Sequence, residues 1–215
     1  WTFGTLKNGL RYAVKRNGVP AGQVSIRVMI DAGALHENDD ELGFAHLLEH
    51  LSFRGSTHVP DGEAKRIWQR FGVTFGSDSN AQTTPTHTVY KLDLPSSDAE
   101  RLNESMKILS GMIREPRLSE KALNAERDIV LAELRENNGA NLRYSDAVRG
   151  HLFQGQKLAS RATIGTPETL RASTAENLAA FHKRWYRPDN AVIVIAGDAE
   201  PALLERMVKR YFSDW

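Results

Sequence analysis

A chain of 215 residues, 40% hydrophobic and 26% charged, is long enough to bury a sizeable core as one large domain or two small ones, with the balance of an ordinary soluble globular protein. A formal net charge of +1 implies no single-sign field of the kind that draws nucleic acid or an acidic partner, and the apolar runs are far too short for a membrane span. Cysteine is absent, which excludes disulfides and thiolate ligands and leaves histidine and carboxylate for any metal. In chain order, Asn8-Gly9 reads as a turn before a half-buried strand in which Leu10, Tyr12 and Val14 alternate with Arg11, Ala13 and Lys15. After a second turn at Asn17-Gly18, a stronger strand presents Val24, Ile26, Val28 and Ile30 on one face. The acidic run Glu37-Asn38-Asp39-Asp40-Glu41 offers N-cap candidates and first-turn negative charge to the next helix, although a solvated loop suffices to explain it.

That helix carries His46-Leu47-Leu48-Glu49-His50, the inverted His-x-x-Glu-His order of zinc peptidases. At 100° per residue its three polar side chains leave through one arc of roughly 100°. Two imidazoles one turn apart can grip one metal, and a carboxylate between them stands beside the open position, so Glu49 is the candidate general base. Leu42, Phe44, Leu47, Leu48, Leu51 and Phe53 surround the trio as on a buried helix, where idle solvated side chains do not belong.

Beyond Arg54-Gly55-Ser56, Pro60-Asp61-Gly62 opens a helix with Ala64, Ile67, Trp68 and Phe71 on its apolar side. The polar stretch from Val73 to Pro85 reads as irregular and leads into a strand with Thr88, Tyr90, Leu92 and Leu94 alternating. Ser97-x-x-Glu100 reads as a capping box ahead of the helical stripe Leu102, Met106, Leu109 and Ile113. Ser119 caps a helix over about 120 to 137, on which Ala122, Leu123, Ile129, Val130 and Glu133 lie within about 60° of Glu126. Two carboxylates on a core-facing stripe need a cation; an arginine is one candidate, and a metal beside the unfinished two-histidine site is the better one.

A polar break from Asn137 to Ala140 precedes a weaker helical pattern with Tyr144, Val148, Leu152 and Phe153, then a loop to Thr166. Ser173-x-x-Glu176 starts a helix bearing Leu178, Phe181 and Trp185. Ala191 to Ala196, short and continuously apolar, reads as a central strand, and a last helix carries Leu204, Met207, Val208 and Tyr211. The pattern predicts one α+β domain, helices packed on a largely antiparallel sheet. Of the other histidines, His36, His58, His87, His151 and His182, only His87 is a candidate for the vicinity of the site.

With these residues in hand, nearly the whole chain resembles the catalytic N-terminal half of the pitrilysin and insulinase family of zinc peptidases. The matching pieces are Leu6 to Arg11, Gly43 to His50, Asn80-Ala81, Thr88-Val89-Tyr90, Glu126 to Glu133, and Trp185 to Asn190 with Gly197-Asp198, in the correct order. The resemblance implies one Zn2+ per chain held by His46, His50 and Glu133. It implies two catalytic carboxylates: Glu49, which activates the zinc-bound water, and Glu126, which orients or tunes what Glu133 holds. Asn80 and Ala81 match edge-strand positions that pair with an extended or unfolded peptide substrate. Residues 1–215 are then the catalytic domain of a zinc endopeptidase whose homologous second half, or partner subunit, is absent from this chain. The alternative is a metal-binding half or scaffold subunit inactive without its partner; a structural zinc site would need a fourth protein ligand. Bacterial relatives suggest a periplasmic location, with a cytoplasmic one as alternative. Two departures stand out: extra residues around Phe75 to Ser79 lengthen the interval from His50 to Glu133, and Gln82 stands where an aromatic is common.

Overall fold

The computed structural model describes residues 1–137 and 139–215. Among the described residues six strands, β1 (Thr2–Thr5), β2 (Arg11–Arg16), β3 (Val24–Ile30), β4 (Ser79–Thr83), β5 (Thr88–Leu94) and β6 (Ala191–Gly197), form one sheet in the order β1-β2-β6-β3-β5-β4. Only β2 and β6 run parallel; the other four pairings are antiparallel, as the α+β reading expects. The apolar run 191–196 is indeed central, inserted between β2 and β3, so the two ends of the chain share one sheet.

Register explains where the core lies. Val28 faces Tyr90 on one side and Ile193 on the other, Ile26 faces Leu92 and Ile195, and Tyr12 and Val14 extend the row through β6. Residues directly opposite share a face, so these side chains make one apolar surface, and all are buried. Ser25, Arg27, Lys91 and Asp93 occupy the other face, where Arg27 pairs with Asp93 at 2.7 Å. The helices α1 (Phe44–Ser52), α2 (Glu63–Arg70), α3 (Ala99–Arg114), α4 (Glu120–Asn137), α5 (Ala140–Leu152), α6 (Pro167–Ala172), α7 (Ala175–Trp185) and α8 (Pro201–Phe212) complete the described elements apart from short 3-10 turns. Leu47, Leu48 and Leu51 of α1, the predicted stripe of α3, and Leu178, Phe181, Leu204 and Val208 join the apolar sheet face in one core cluster. Each such side chain contributes about 1.5–3 kcal/mol on burial.

Several local expectations shift. β4 lies within the stretch read as irregular: an edge strand needs pairing on one side only, and only its Ser79 is buried, so no apolar alternation announces it. The caps of α3 and α7 are Asp98 and Thr174, each one residue beyond the serine expected, because those are the residues whose side chains reach back-facing N–H groups two or three positions on. Ile129 is 46% exposed, so the α4 stripe is narrower than expected and centres on Leu123, Glu126 and Val130. Tyr144 and Leu152 of α5 are exposed rather than apolar anchors. The expected break at 137–140 includes Asn138, which lies outside the described residues.

The acidic loop is the largest correction, since it is not merely solvated. Glu37 is wholly buried and accepts the N–H groups of Gly43 (3.0 Å) and Ala45 (2.9 Å), closing the N-terminus of α1, where Gly43 at φ 90° has no side chain to do so. Glu41 is buried against Arg184. Burial raises the Glu37 pKa from 4.5 to about 7, against the lowering effect of the Ala45 and Gly43 N–H groups and Arg161. The folded state therefore holds this proton more tightly than the unfolded chain, and the stability it contributes is full below pH 4.5 and lost as pH rises through 7. Urea unfolding should show wild type losing about 3 kcal/mol more than Glu37→Gln between pH 4.5 and pH 8; parallel pH dependences would refute the assignment.

Candidate metal centre

Phe44, Ala45, Leu47, Leu48 and Leu51 commit one side of α1 to the core, each 1% exposed or less. The remaining face turns His46, Glu49 and His50 towards α4 and the edge strand β4, which both contact α1. The two imidazoles meet edge to face with centroids 4.7 Å apart. Glu133 arrives from α4, two turns beyond Glu126, with Oε2 3.8 Å from His46 Nε2 and 3.7 Å from His50 Nε2. One ligand atom from each of the three residues lies within 4.8 Å of the other two. Tetrahedral zinc with bonds of about 2.0–2.1 Å holds its donors about 3.3–3.5 Å apart, so the two glutamate–histidine separations are a few tenths of an ångström wider than the bound geometry, and the donor chemistry matches it. Burial, with the neighbouring His50 charge, lowers the His46 pKa to about 4, which keeps the imidazole neutral at pH 7.

Glu126 stands behind the ligands. Its Oε2 lies 3.0 Å from His50 Nδ1, and Arg54 Nε donates to its other oxygen. A proton on Nδ1 directed at the carboxylate leaves Nε2 unprotonated towards Glu133. Burial alone would lower the His50 pKa, yet the Glu126 hydrogen bond and the charges of Glu126, Glu49 and Glu133 together raise it. Burial would likewise raise Glu126, but His50 and Arg54 bring it below the usual carboxylate value. The two carboxylates of α4 thus part company: Glu126 takes the arginine and a histidine, and Glu133 completes the metal cluster. Among the described residues, the side-chain partners of Glu126 are His50 and Arg54. Arg54, two residues beyond the end of α1, was missed in the sequence. Glu126→Gln should weaken zinc binding about ten- to a hundredfold in competition with a chromogenic chelator, and unaltered affinity would refute this role.

Glu49 is 8% exposed, and Thr83 Oγ1, at the end of β4, donates to its Oε2 at 2.5 Å. Burial raises the Glu49 pKa, opposed by the Thr83 hydrogen bond and the His50 charge. Thr83 is a second residue that pattern reasoning missed; its signal is its position in the same strand as Asn80 and Ala81. Ala81, Gln82 and Thr83 join His46, Glu49 and Glu133 in lining a cavity of about 460 Å³. Asn80 does not line it; its side chain bonds Gly76 O and accepts the Ala81 N–H. His87 stays outside the cluster and bonds Thr86, while His36, His58 and His182 bond backbone groups elsewhere.

Two histidines one turn apart, a glutamate between them and a second glutamate from another helix, beside a free sheet edge, define the class of inverted zinc-peptidase folds. Residues 12–166 match the insulinase family, Peptidase family M16, and residues 172–215 match the Peptidase M16 inactive domain; the chain belongs to the M16 family. It is 32% identical over 210 residues to the probable zinc protease PqqL of Haemophilus influenzae, covering 98% of this chain and 23% of that protein. It is 34% identical over 198 residues to the chloroplastic stromal processing peptidase of Pisum sativum, covering 91% of this chain and 15% of that protein. The crystal structure of the periplasmic protease PqqL from Escherichia coli superposes with a TM-score of 0.93 at 32% identity, over 99% of this chain and 23% of the other. Its separately solved first half gives the same score over 99% of this chain and 45% of the other. The chain therefore spans under a quarter of the length of these whole relatives. Zinc is the metal in the first relative's name, and the His46, His50 and Glu133 donors suit it. Among the described residues no helix is long and apolar enough to cross a membrane.

Proposed function

We propose that residues 1–215 are the catalytic domain of a zinc-dependent endopeptidase that cleaves peptides or unfolded polypeptides. The convergence of His46, His50 and Glu133 beside the buried Glu49, at the mouth of a cavity bounded by the free edge of β4, carries this reading. His46, His50 and Glu133 would hold the ion, and Glu126 and Arg54 fix the His50 ring. When bound, zinc supplies Lewis acidity to the scissile carbonyl and lowers the pKa of water towards 7. Glu49 takes the proton of the attacking water and returns it to the leaving amine, with the Thr83 hydroxyl fixing the carboxylate. The exposed edge of β4, with Asn80 and Ala81, pairs with the substrate backbone, which selects extended chains.

A homologous second half, in the same polypeptide or on a partner subunit, closes the cavity; the length of the relatives supports this, and the periplasmic E. coli relative supports a periplasmic location. Zinc-loaded protein should cleave a quenched peptide and unfolded casein, lose cleavage to a chelator and regain it with zinc. Cleavage by the full-length protein but not by residues 1–215, each carrying zinc, would show that catalysis needs the second half. Zinc-loaded full-length protein that cleaves neither substrate would refute the enzyme reading.

A further inference from the structure

A second wall of the cavity is built by α5. Leu142, Asp146 and Arg149, spaced four and three residues apart, share one face of that helix and line the cavity that His46, Glu49 and Glu133 also line. No residue of α5 is fully buried, so core packing does not account for the charged pair on this face. Arg149 Nη1 lies 2.9 Å from Asp146 Oδ1, with the arginine side chain 25% exposed, and its Nε is buried with no hydrogen-bond partner among the described residues. Asp146 Oδ1 is itself buried with no hydrogen-bond partner among the described residues, its charge offset by the arginine, and the Nε edge of the guanidinium fork is likewise unpartnered. That edge presents Nε and an Nη side by side, the geometry that takes a carboxylate bidentately.

Resting on the proposed peptidase activity, we infer that Arg149 is a specificity-determining residue that selects an Asp or Glu side chain within two residues of the scissile bond. A cavity of about 460 Å³ is about 8 Å across, the length of two to three extended residues at about 3.3 Å each. A substrate strand added to β4 turns alternate side chains to one side, so one of them meets the α5 face.

The test uses zinc-loaded full-length protein and quenched peptides carrying Glu, Gln or Lys at each position from two before to two after the cleaved bond. Glu should exceed Gln about ten- to a hundredfold in kcat/KM at one position. Arg149→Gln should abolish that preference, Arg149→Glu should reverse it towards Lys, and Arg149→Lys should keep its sign at reduced size, a rescue that a misfolded variant cannot give. A preference that survives Arg149→Gln, or a wild-type preference for Lys with Asp146 as selector, overturns the assignment. Binding of the same peptides to Glu49→Gln, read by fluorescence anisotropy, separates the two readings. Acid-selective binding without wild-type cleavage would sink the peptidase and leave Arg149 standing. Cleavage without charge preference would do the reverse, and neither binding nor cleavage would sink both.

Discussion

Glu49→Gln is expected to keep about one zinc per chain while losing peptide cleavage by about 10²–10⁴-fold. The substitution is nearly isosteric, and the amide carbonyl still accepts from Thr83, so the local packing of α1 persists. The ligand atoms of His46, His50 and Glu133 are untouched. What disappears is the capacity to take a proton from water and return it to the leaving amine, the two roles the proposed chemistry gives this side chain. Metal content and single-turnover cleavage measured on one preparation separate the two effects. Equal activity in both proteins would remove Glu49 as the base, and zinc lost with activity would make it a structural support of the site instead.

Glu133→Gln is expected to do the opposite, emptying the site while leaving the fold intact. Glu133 is 38% exposed and makes no contact shorter than 3.7 Å to either histidine, so little of the native packing depends on it. Apparent zinc binding of about 10–16 kcal/mol in four-ligand structural sites puts each protein ligand at about 2.5–4 kcal/mol, a loss of about seventy- to nine-hundredfold in affinity when a charged ligand becomes a neutral amide. Zinc content should fall from about one per chain to near zero after dialysis, with the circular dichroism spectrum unchanged. Zinc retained in the variant would move the third ligand elsewhere. Zinc absent from wild type, even after addition, would return the scaffold reading to the front. The contrast with Glu126→Gln is informative, because that side chain is 8% exposed and tied to His50 and Arg54, so its loss should weaken the site without emptying it.

The parts of the fold legible in the amino-acid sequence are those governed by neighbours a few residues apart. Alternation at Val24, Ile26, Val28 and Ile30 and at Thr88, Tyr90, Leu92 and Leu94 identified the two long antiparallel strands, and the unbroken apolar run at 191–196 identified the central one. The same short-range logic placed His46, Glu49 and His50 on one helical face, and Glu126 and Glu133 on another. Edge strands and polar caps were less legible, because a strand paired on one side and a carboxylate reaching a helix end from six residues away leave no period to detect.

By itself, the sequence nominated the two histidines, the candidate base and the helical face that bears them, since helical geometry is a property of the local chain, whereas Glu133 as third donor came from the family resemblance. Only the tertiary structure decided that Glu126 would meet His50 across 76 positions and Arg54 across 72, that Thr83 would hold Glu49 across 34, and that Asp146 and Arg149 of α5 would turn into the same cavity. The reason is that a charged side chain near a core takes whichever partner the packing of the sheet and helices brings within hydrogen-bond reach, and that packing is settled by the apolar face of the sheet rather than by the residues of the site.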